Sequence, residues 1–146
     1  MRMSAKLLRR GMGWWPPFLG AGIRVPSLAE DFRDVMVEMR LGLLNRNYVG
    51  THFGGSLYTM TDPFFAIMLM HNLGGEYLVW DKSGSIEYVS PGRGAVRARF
   101  VLTEARIAEI RAQAAGGDKV LPEFQVEVRH AADDSLVAMV RKTLYV

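Results

Sequence analysis

The spacing of hydrophobic and polar residues changes several times along this chain, and each change marks an element. After Pro26, the stretch DFRDVMVEMRL alternates, with Val35, Val37, Met39 and Leu41 on one side and Asp34, Glu38 and Arg40 on the other. A period of two with β-branched residues predicts a half-buried strand. GLLNRNYVGT follows with Asn and Gly at turn-competent positions and reads as a loop. Residues 54–72 lose the alternation. Leu57, Met60, Phe64, Phe65, Ile67, Met68 and Leu69 point nearly all round a helix, so that helix must be enclosed by protein. Gly74 and Gly75 end it. Strand patterning returns in YLVWDKSGSIEYVS (77–90) and GAVRARFVLT (94–103), where Val96, Ala98, Phe100 and Leu102 face in and Arg97 and Arg99 face out. EARIAEIRAQAA (104–115) reads as a helix stopped by Gly116 and Gly117. KVLPEFQVEVRHA sets Phe124, Val126 and Val128 against Glu123, Gln125, Glu127 and Arg129. After the turn ADDS, LVAMVRKTLYV is a last strand.

With a short basic helix expected over residues 5–13, the order is short helix, strand, long apolar helix, two strands, helix, two strands. This predicts an α+β fold, a five-stranded antiparallel sheet curled around a central helix. One domain is expected over 1–146, with an N-terminal arm at 1–26 and the core at 27–146. Composition alters this picture little: 49% of residues are hydrophobic and 23% charged, as in ordinary globular proteins. The absence of cysteine excludes disulfides, thiolate zinc sites and a cysteine nucleophile. Three scattered histidines lack ligand spacing, so no metal and no cofactor is expected. The net charge of +3 comes from acids and bases that alternate along the chain, which argues against a nucleic-acid partner. No apolar run approaches the ~20 residues of a membrane span. Pro16 and Pro17 break the apolar patch behind the N-terminal positive charges, so a secretory leader is not expected and a cytoplasmic location is.

One carboxylate, Asp62, interrupts the most apolar segment, GTHFGGSLYTMTDPFFAIMLMH. Two readings stand. Asp-Pro is a common helix start, with Asp62 as N-cap and Pro63 in the first turn. Alternatively Asp62 is a functional acid, and Pro63 loosens the helix there by removing a backbone hydrogen bond. Asn47 is likewise either a ligand-orienting amide or a turn residue. His52 is a base, an oxyanion donor or a packing residue, and His71 suits a helix C-terminus. Trp14, Trp15 and Phe18 are read as anchors for the N-terminal arm, and Arg93, Arg97 and Arg99 as a solvated face.

HFGG, an acid seven residues after the second glycine, and IEYVSPGRG together resemble the hotdog superfamily, and within it the phenylacetyl-CoA thioesterase-like branch. WPPFLGAGIRV, NRNYVGTHFGGSLY, TDPFF and VWDK are more similar still to a subgroup of uncharacterised bacterial hotdog proteins. The resemblance implies hydrolysis of an acyl-CoA-type thioester at a subunit interface of a homodimer or homotetramer. It makes Asp62 the general base or nucleophile, Gly54 the main-chain donor to the carbonyl with Gly55 beside it, and Asn47 the amide that places water or substrate. Substrate contacts are then expected from His52, Phe53, Asp81 and Ser83, with Ser85 a further hydroxyl. Two positions depart from the family pattern. Phe53 stands directly before the glycines where the family has histidine, which moves to His52, and Asp81 replaces a hydroxyl residue. Paired subunits would complete each site, with Asp62 from one and the loop from Asn47 to Gly55 from the other. The alternative is a non-catalytic acyl or acyl-CoA binding protein. A dehydratase is a weaker fit, since the Gly-Asp-x-Asn-Pro signature is missing.

Overall fold

The computed structural model describes residues 3–146. Helix α1 (Ala5–Met12) begins where Ser4 accepts the Leu7 N–H at 3.3 Å, and carries Arg9 and Arg10 in its last turn, where cations suit the exposed carbonyls. Helix α2 (Pro16–Ala21) starts on the two prolines and ends at Gly22, whose φ of 71° lies in the left-handed region. By sequence alone these prolines read as a break in the apolar patch. At the first turn of a helix they lose no hydrogen bond, because those N–H groups have no partner in the helix anyway. Phe18 is fully buried between Trp15 (5.1 Å) and Phe64 (5.9 Å), while Trp14 is exposed.

The sheet has six antiparallel strands rather than the expected five. They are β1 (Ile23–Leu28), β2 (Asp34–Arg40), β3 (Trp80–Tyr88), β4 (Ala95–Val101), β5 (Glu123–His130) and β6 (Leu136–Tyr145), in the order β1-β2-β4-β5-β6-β3. The extra strand is β1, which contains Pro26. Its register against β2 slips between Arg24 and Ser27, so the proline sits in a bulge on an edge strand, where a missing N–H is tolerated. Helix α1 lies beside β1, and the Arg9 guanidinium donates to the Pro26 carbonyl at 2.7 Å.

Alternation sets the faces. Val35, Val37 and Met39 of β2 and Val96, Ala98 and Phe100 of β4 are buried on one side. Glu38, Arg97 and Arg99 occupy the other, joined by Glu38–Arg97 (3.0 Å) and Asp34–Arg99 (2.5 Å) ion pairs. The apolar face wraps a helical run in two pieces, α3 (Gly54–Thr59) and α4 (Phe64–Leu73). Phe64 and Phe65 of α4 pack on Phe100 and Phe124 with ring centroids 4.6–5.1 Å apart. Each such side chain contributes about 1.5–3 kcal/mol on leaving water. Helix α5 (Glu104–Ala114), capped by Thr103, adds Ile107 and Ile110 to the same core. Strand β3 differs from the rest. It pairs only with β6, and almost all of its residues are exposed.

Candidate active site

The helical run breaks between Met60 and Pro63 because Pro63 has no N–H to give. The chain closes the gap with tighter bonds. Thr61 N–H donates to the Tyr58 carbonyl (3.0 Å), Asp62 N–H to the Thr59 carbonyl (3.2 Å), and the buried Thr61 hydroxyl to the Tyr58 carbonyl (2.8 Å). Asp62 does not cap α4. Pro63 occupies the N-cap position, and no side chain bonds the free amides there. The Asp62 carboxylate instead accepts a hydrogen bond from the Lys142 ammonium at 2.8 Å, with its side chain 47% exposed.

Lys142 is the residue that the sequence reading missed. Its side chain is 2% exposed, and it also pairs with Asp81 of β3 at 3.3 Å, whose side chain is 34% exposed. The Tyr58 ring lies against the ammonium, its centroid 5.2 Å from Nζ. The signal was present in the alternation of β6. Ala138, Val140, Lys142 and Leu144 fall on the inward side, so a lysine stands in an apolar row. Gly84, directly opposite Lys142 in β3, makes the space. A Cβ there would run into the Tyr58 hydroxyl and lie 3.2 Å from Lys142 Cδ. Burial works against the Lys142 charge. The hydrogen bond and charge of Asp62, then the charges of Asp81 and Tyr58, outweigh it and hold the ammonium above its ordinary value. Burial pushes the Asp81 carboxyl up. Lys142 pulls it back through charge and hydrogen bond, the Asp62 charge adds to the rise, and the value stays raised.

The glycine end of α3 is built differently. His52 N–H donates to the Gly92 carbonyl and Phe53 N–H to the Asn45 carbonyl, both at 2.9 Å, which fixes the chain entering the helix. The Asn47 amide organises the loop before it. Its NH₂ donates to Thr51 Oγ1 (2.9 Å) and the His52 carbonyl (3.3 Å), while its oxygen accepts the N–H groups of Val49 (3.1 Å) and Thr51 (2.9 Å). A second amide, the buried Asn45, bonds Gly42, Ala21 and Arg40 at 2.7 Å and ties the loop to α2 and β2. His52 is 3% exposed and its Nε2 lies 2.8 Å from the Gly94 carbonyl, so Nε2 carries the proton and the unpartnered Nδ1 is bare. Burial depresses the His52 pKa, the Gly94 carbonyl opposes this, and the His130 charge adds to it.

An open cleft of about 360 Å³ lies here, lined by Asn47, His52, Gly54, Tyr88 and Gly92 among others. Its floor needs glycine. A Cβ on Gly54 would lie 2.9 Å from the Tyr88 hydroxyl oxygen, and one on Gly92 3.0 Å from His52 Cδ2. Among the described residues, the first-turn N–H groups of Gly54 and Gly55 donate to no protein acceptor. Phe53, the N-cap of α3, is exposed and packs over Gly55.

The candidate residues thus fall into two groups. Asp62 and Asp81 meet at Lys142, and Asn47, His52, Phe53, Gly54 and Gly55 gather at the cleft. Ser83 joins neither. It pairs with Thr143, one position away from the Gly84–Lys142 pair, and so points with Ser85 and Arg141 to the outer face of the sheet. His71 stacks on Phe32 at 3.6 Å. His130 bonds Ser135 Oγ (2.8 Å) and receives the Arg93 N–H (3.2 Å).

An antiparallel sheet closed around an interrupted helix, with a glycine pair at its start, defines a hotdog fold, and solved structures agree. A protein of unknown function from Pseudomonas aeruginosa, described as a probable thioesterase, superposes with a TM-score of 0.86 at 18% identity over 99% of this chain and 96% of that one. Thioesterase superfamily member 2 from Mus musculus gives 0.68 at 20% identity, covering 99% and 98%. A point mutant of the phenylacetic acid degradation protein PaaI from Thermus thermophilus gives 0.61 at 24%, covering 89% and 97%. The chain itself belongs to the family described as a domain of unknown function, DUF4442, whose profile matches residues 4–146. No curated protein matches it significantly. No helix among the described residues is long and apolar enough to cross a membrane.

Proposed function

We propose that this protein hydrolyses acyl-CoA-type thioesters, with Asp62 as the general base. The observation that carries the reading is the state of Asp62: an uncapped, half-exposed carboxylate at a helix break, held by a buried ammonium. The thioesterase names of three-dimensional neighbours lend support. In the reaction, Asp62 takes a proton from water as the water oxygen bonds to the thioester carbon. The carbonyl oxygen becomes an oxyanion that the Gly54 N–H, with Gly55 beside it, stabilises. Collapse of the adduct breaks the C–S bond, and the departing thiolate takes the proton held by Asp62, leaving a carboxylic acid and a thiol. A single such donor is worth ~2.7–4 kcal/mol of barrier, and a general base about 10²–10⁴ in rate. Asn47 shapes the donor loop, and His52 and Phe53 flank the substrate there.

One subunit does not bring both parts to one carbonyl. Gly54 and Asp62 lie roughly 12 Å apart along the helix direction, and Asp81 and Tyr88 mark opposite ends of β3, about 23 Å apart. Antiparallel pairing of two β3 edges would set the Tyr88 end of one subunit beside the Asp81 end of its partner. A homodimer assembled this way joins each acid to the other subunit's donors, and dimers pair into a tetramer. The unpaired edge of β3 supports this, as do the exposed Tyr48, Val49, Phe53, Tyr88 and Val89 around the cleft. The test is thiol release from short, medium, long and aromatic acyl-CoAs by wild type and Asp62→Asn, with light scattering for mass. Turnover abolished by Asp62→Asn in a dimeric or larger protein is expected. Ligand-induced thermal stabilisation without turnover would instead make the protein an acyl-CoA binder.

A further inference from the structure

Lys142 and Asp81 have no part in the chemistry just described, yet Lys142 holds its central group and Asp81 shares Lys142. A fully buried ammonium must keep an anionic partner, because stranding one in the interior costs several kcal/mol. If Asp62 were the sole partner, it could not turn toward water or substrate without leaving that charge bare. The second acid removes the conflict. Asp81 reaches the same Nζ, at 3.3 Å against 2.8 Å for Asp62. Among the described residues, the remaining neighbours of Lys142 offer no rival partner. Its cross-strand residues are Gly84 in β3 and Phe124 in β5, and α3 presents the Tyr58 ring. The titratable groups facing Lys142 are therefore Asp62, Asp81 and Tyr58.

We propose that Lys142 is the positioning residue of this site and Asp81 its resident counter-ion, so that Asp62 can leave the ammonium to act as base without stranding it. This rests on the thioesterase reading for its catalytic consequence but not for the sharing of the cation, which is a property of the resting protein. It also accounts for an acid, and not a neutral side chain, at position 81. A hydroxyl there would leave Asp62 permanently bound to Lys142.

Two measurements on the full chain test it. The first follows the Asp81 carboxyl carbon by ¹³C NMR through a pH titration and needs no turnover. Lys142→Met should raise the Asp81 midpoint by about one to three pH units, the usual effect of losing an adjacent opposite charge, and Lys142→Arg should restore most of it. Asp62→Asn should lower the midpoint, because the ammonium then belongs to Asp81 alone. An Asp81 midpoint unmoved by Asp62→Asn overturns the sharing even if Lys142→Met fails to fold. The second measurement is steady-state hydrolysis. Lys142→Met should lower kcat about 100-fold and Asp81→Asn about tenfold, each with KM changed less than about twofold, the pattern of a group needed only in the transition state. A kcat unchanged by Lys142→Met, or a loss confined to KM, overturns the positioning role. If wild type cleaves no acyl thioester while Asp81 titrates as described, the thioesterase reading fails and the shared cation stands.

Discussion

The two ends of β3 hold their groups in opposite ways. At the Asp81 end, two carboxylates and an aromatic ring meet around one buried ammonium, so position depends on charge balance. At the Tyr88 end, main-chain hydrogen bonds and absent side chains hold the geometry, so position depends on volume. A charge network tolerates the loss of one member while another remains. A glycine floor is indifferent to salt and pH, but an added methyl group displaces the side chains that shape it.

The largest expected effect breaks the charge end. Replacing both acids, Asp62→Asn with Asp81→Asn, leaves Lys142 buried without a counter-ion and should cost about 3–5 kcal/mol in urea unfolding. Each single change should cost well under half of that, since the other carboxylate remains. Additive losses would show that the acids do not share the cation. The same end should carry an alkaline signature. Because the folded protein holds Lys142 above its ordinary 10.5, the stability it adds is complete below that pH and fades as pH rises through the higher folded value. Lys142→Met should flatten that limb of a stability-against-pH curve.

Gly84→Ala comes next. The new methyl group meets the Tyr58 hydroxyl and the Lys142 stem, and such overpacking costs about 1–3 kcal/mol. Tyr58→Phe in the same chain should recover part of the loss, which unfolding midpoints would read.

At the cleft, Gly54→Ala should leave stability within about 1 kcal/mol, because the exposed Tyr88 ring can swing away. It should still lower kcat/KM about tenfold or more by misplacing the carbonyl against its donors. An alanine variant as active as wild type would remove Gly54 from the site. The smallest effect belongs to His52. Its depressed pKa means that stability is intact above 6.5 and lost as pH falls through the lower folded value. His52→Gln should remove that slope from thermal melts between neutral and mildly acid pH.

Much of the fold could be read directly because each strand's apolar set is consistent with its neighbours'. Val35, Val37 and Met39 face the same core as Val96, Ala98 and Phe100, as alternation required. What escaped was where proline does something other than stop an element. Pro16 and Pro17 start α2, and Pro26 lies within β1, whose bulge absorbs it. At Asp62 two uses of one dipeptide competed, and local sequence could not decide between them. The deciding residue, Lys142, lies eighty positions away in sequence. Lys142 itself was legible in principle, as a cation in the inward row of β6, but periodicity marks it only as misplaced. Its purpose depends on Asp62 and Asp81, which topology alone brings together.

The rims of the sheet are unequal, and this bears on how copies can accumulate. One rim ends in a kinked, proline-bearing strand with a helix laid alongside, so it offers poor purchase to an incoming chain. The other, β3, carries an irregularity between Asp81 and Ser83 but no proline, and beyond β6 no strand among the described residues pairs with it. For edge-to-edge joining this gives the subunit a valence of one: two copies can satisfy each other, and no open end is left to recruit a third into a fibre.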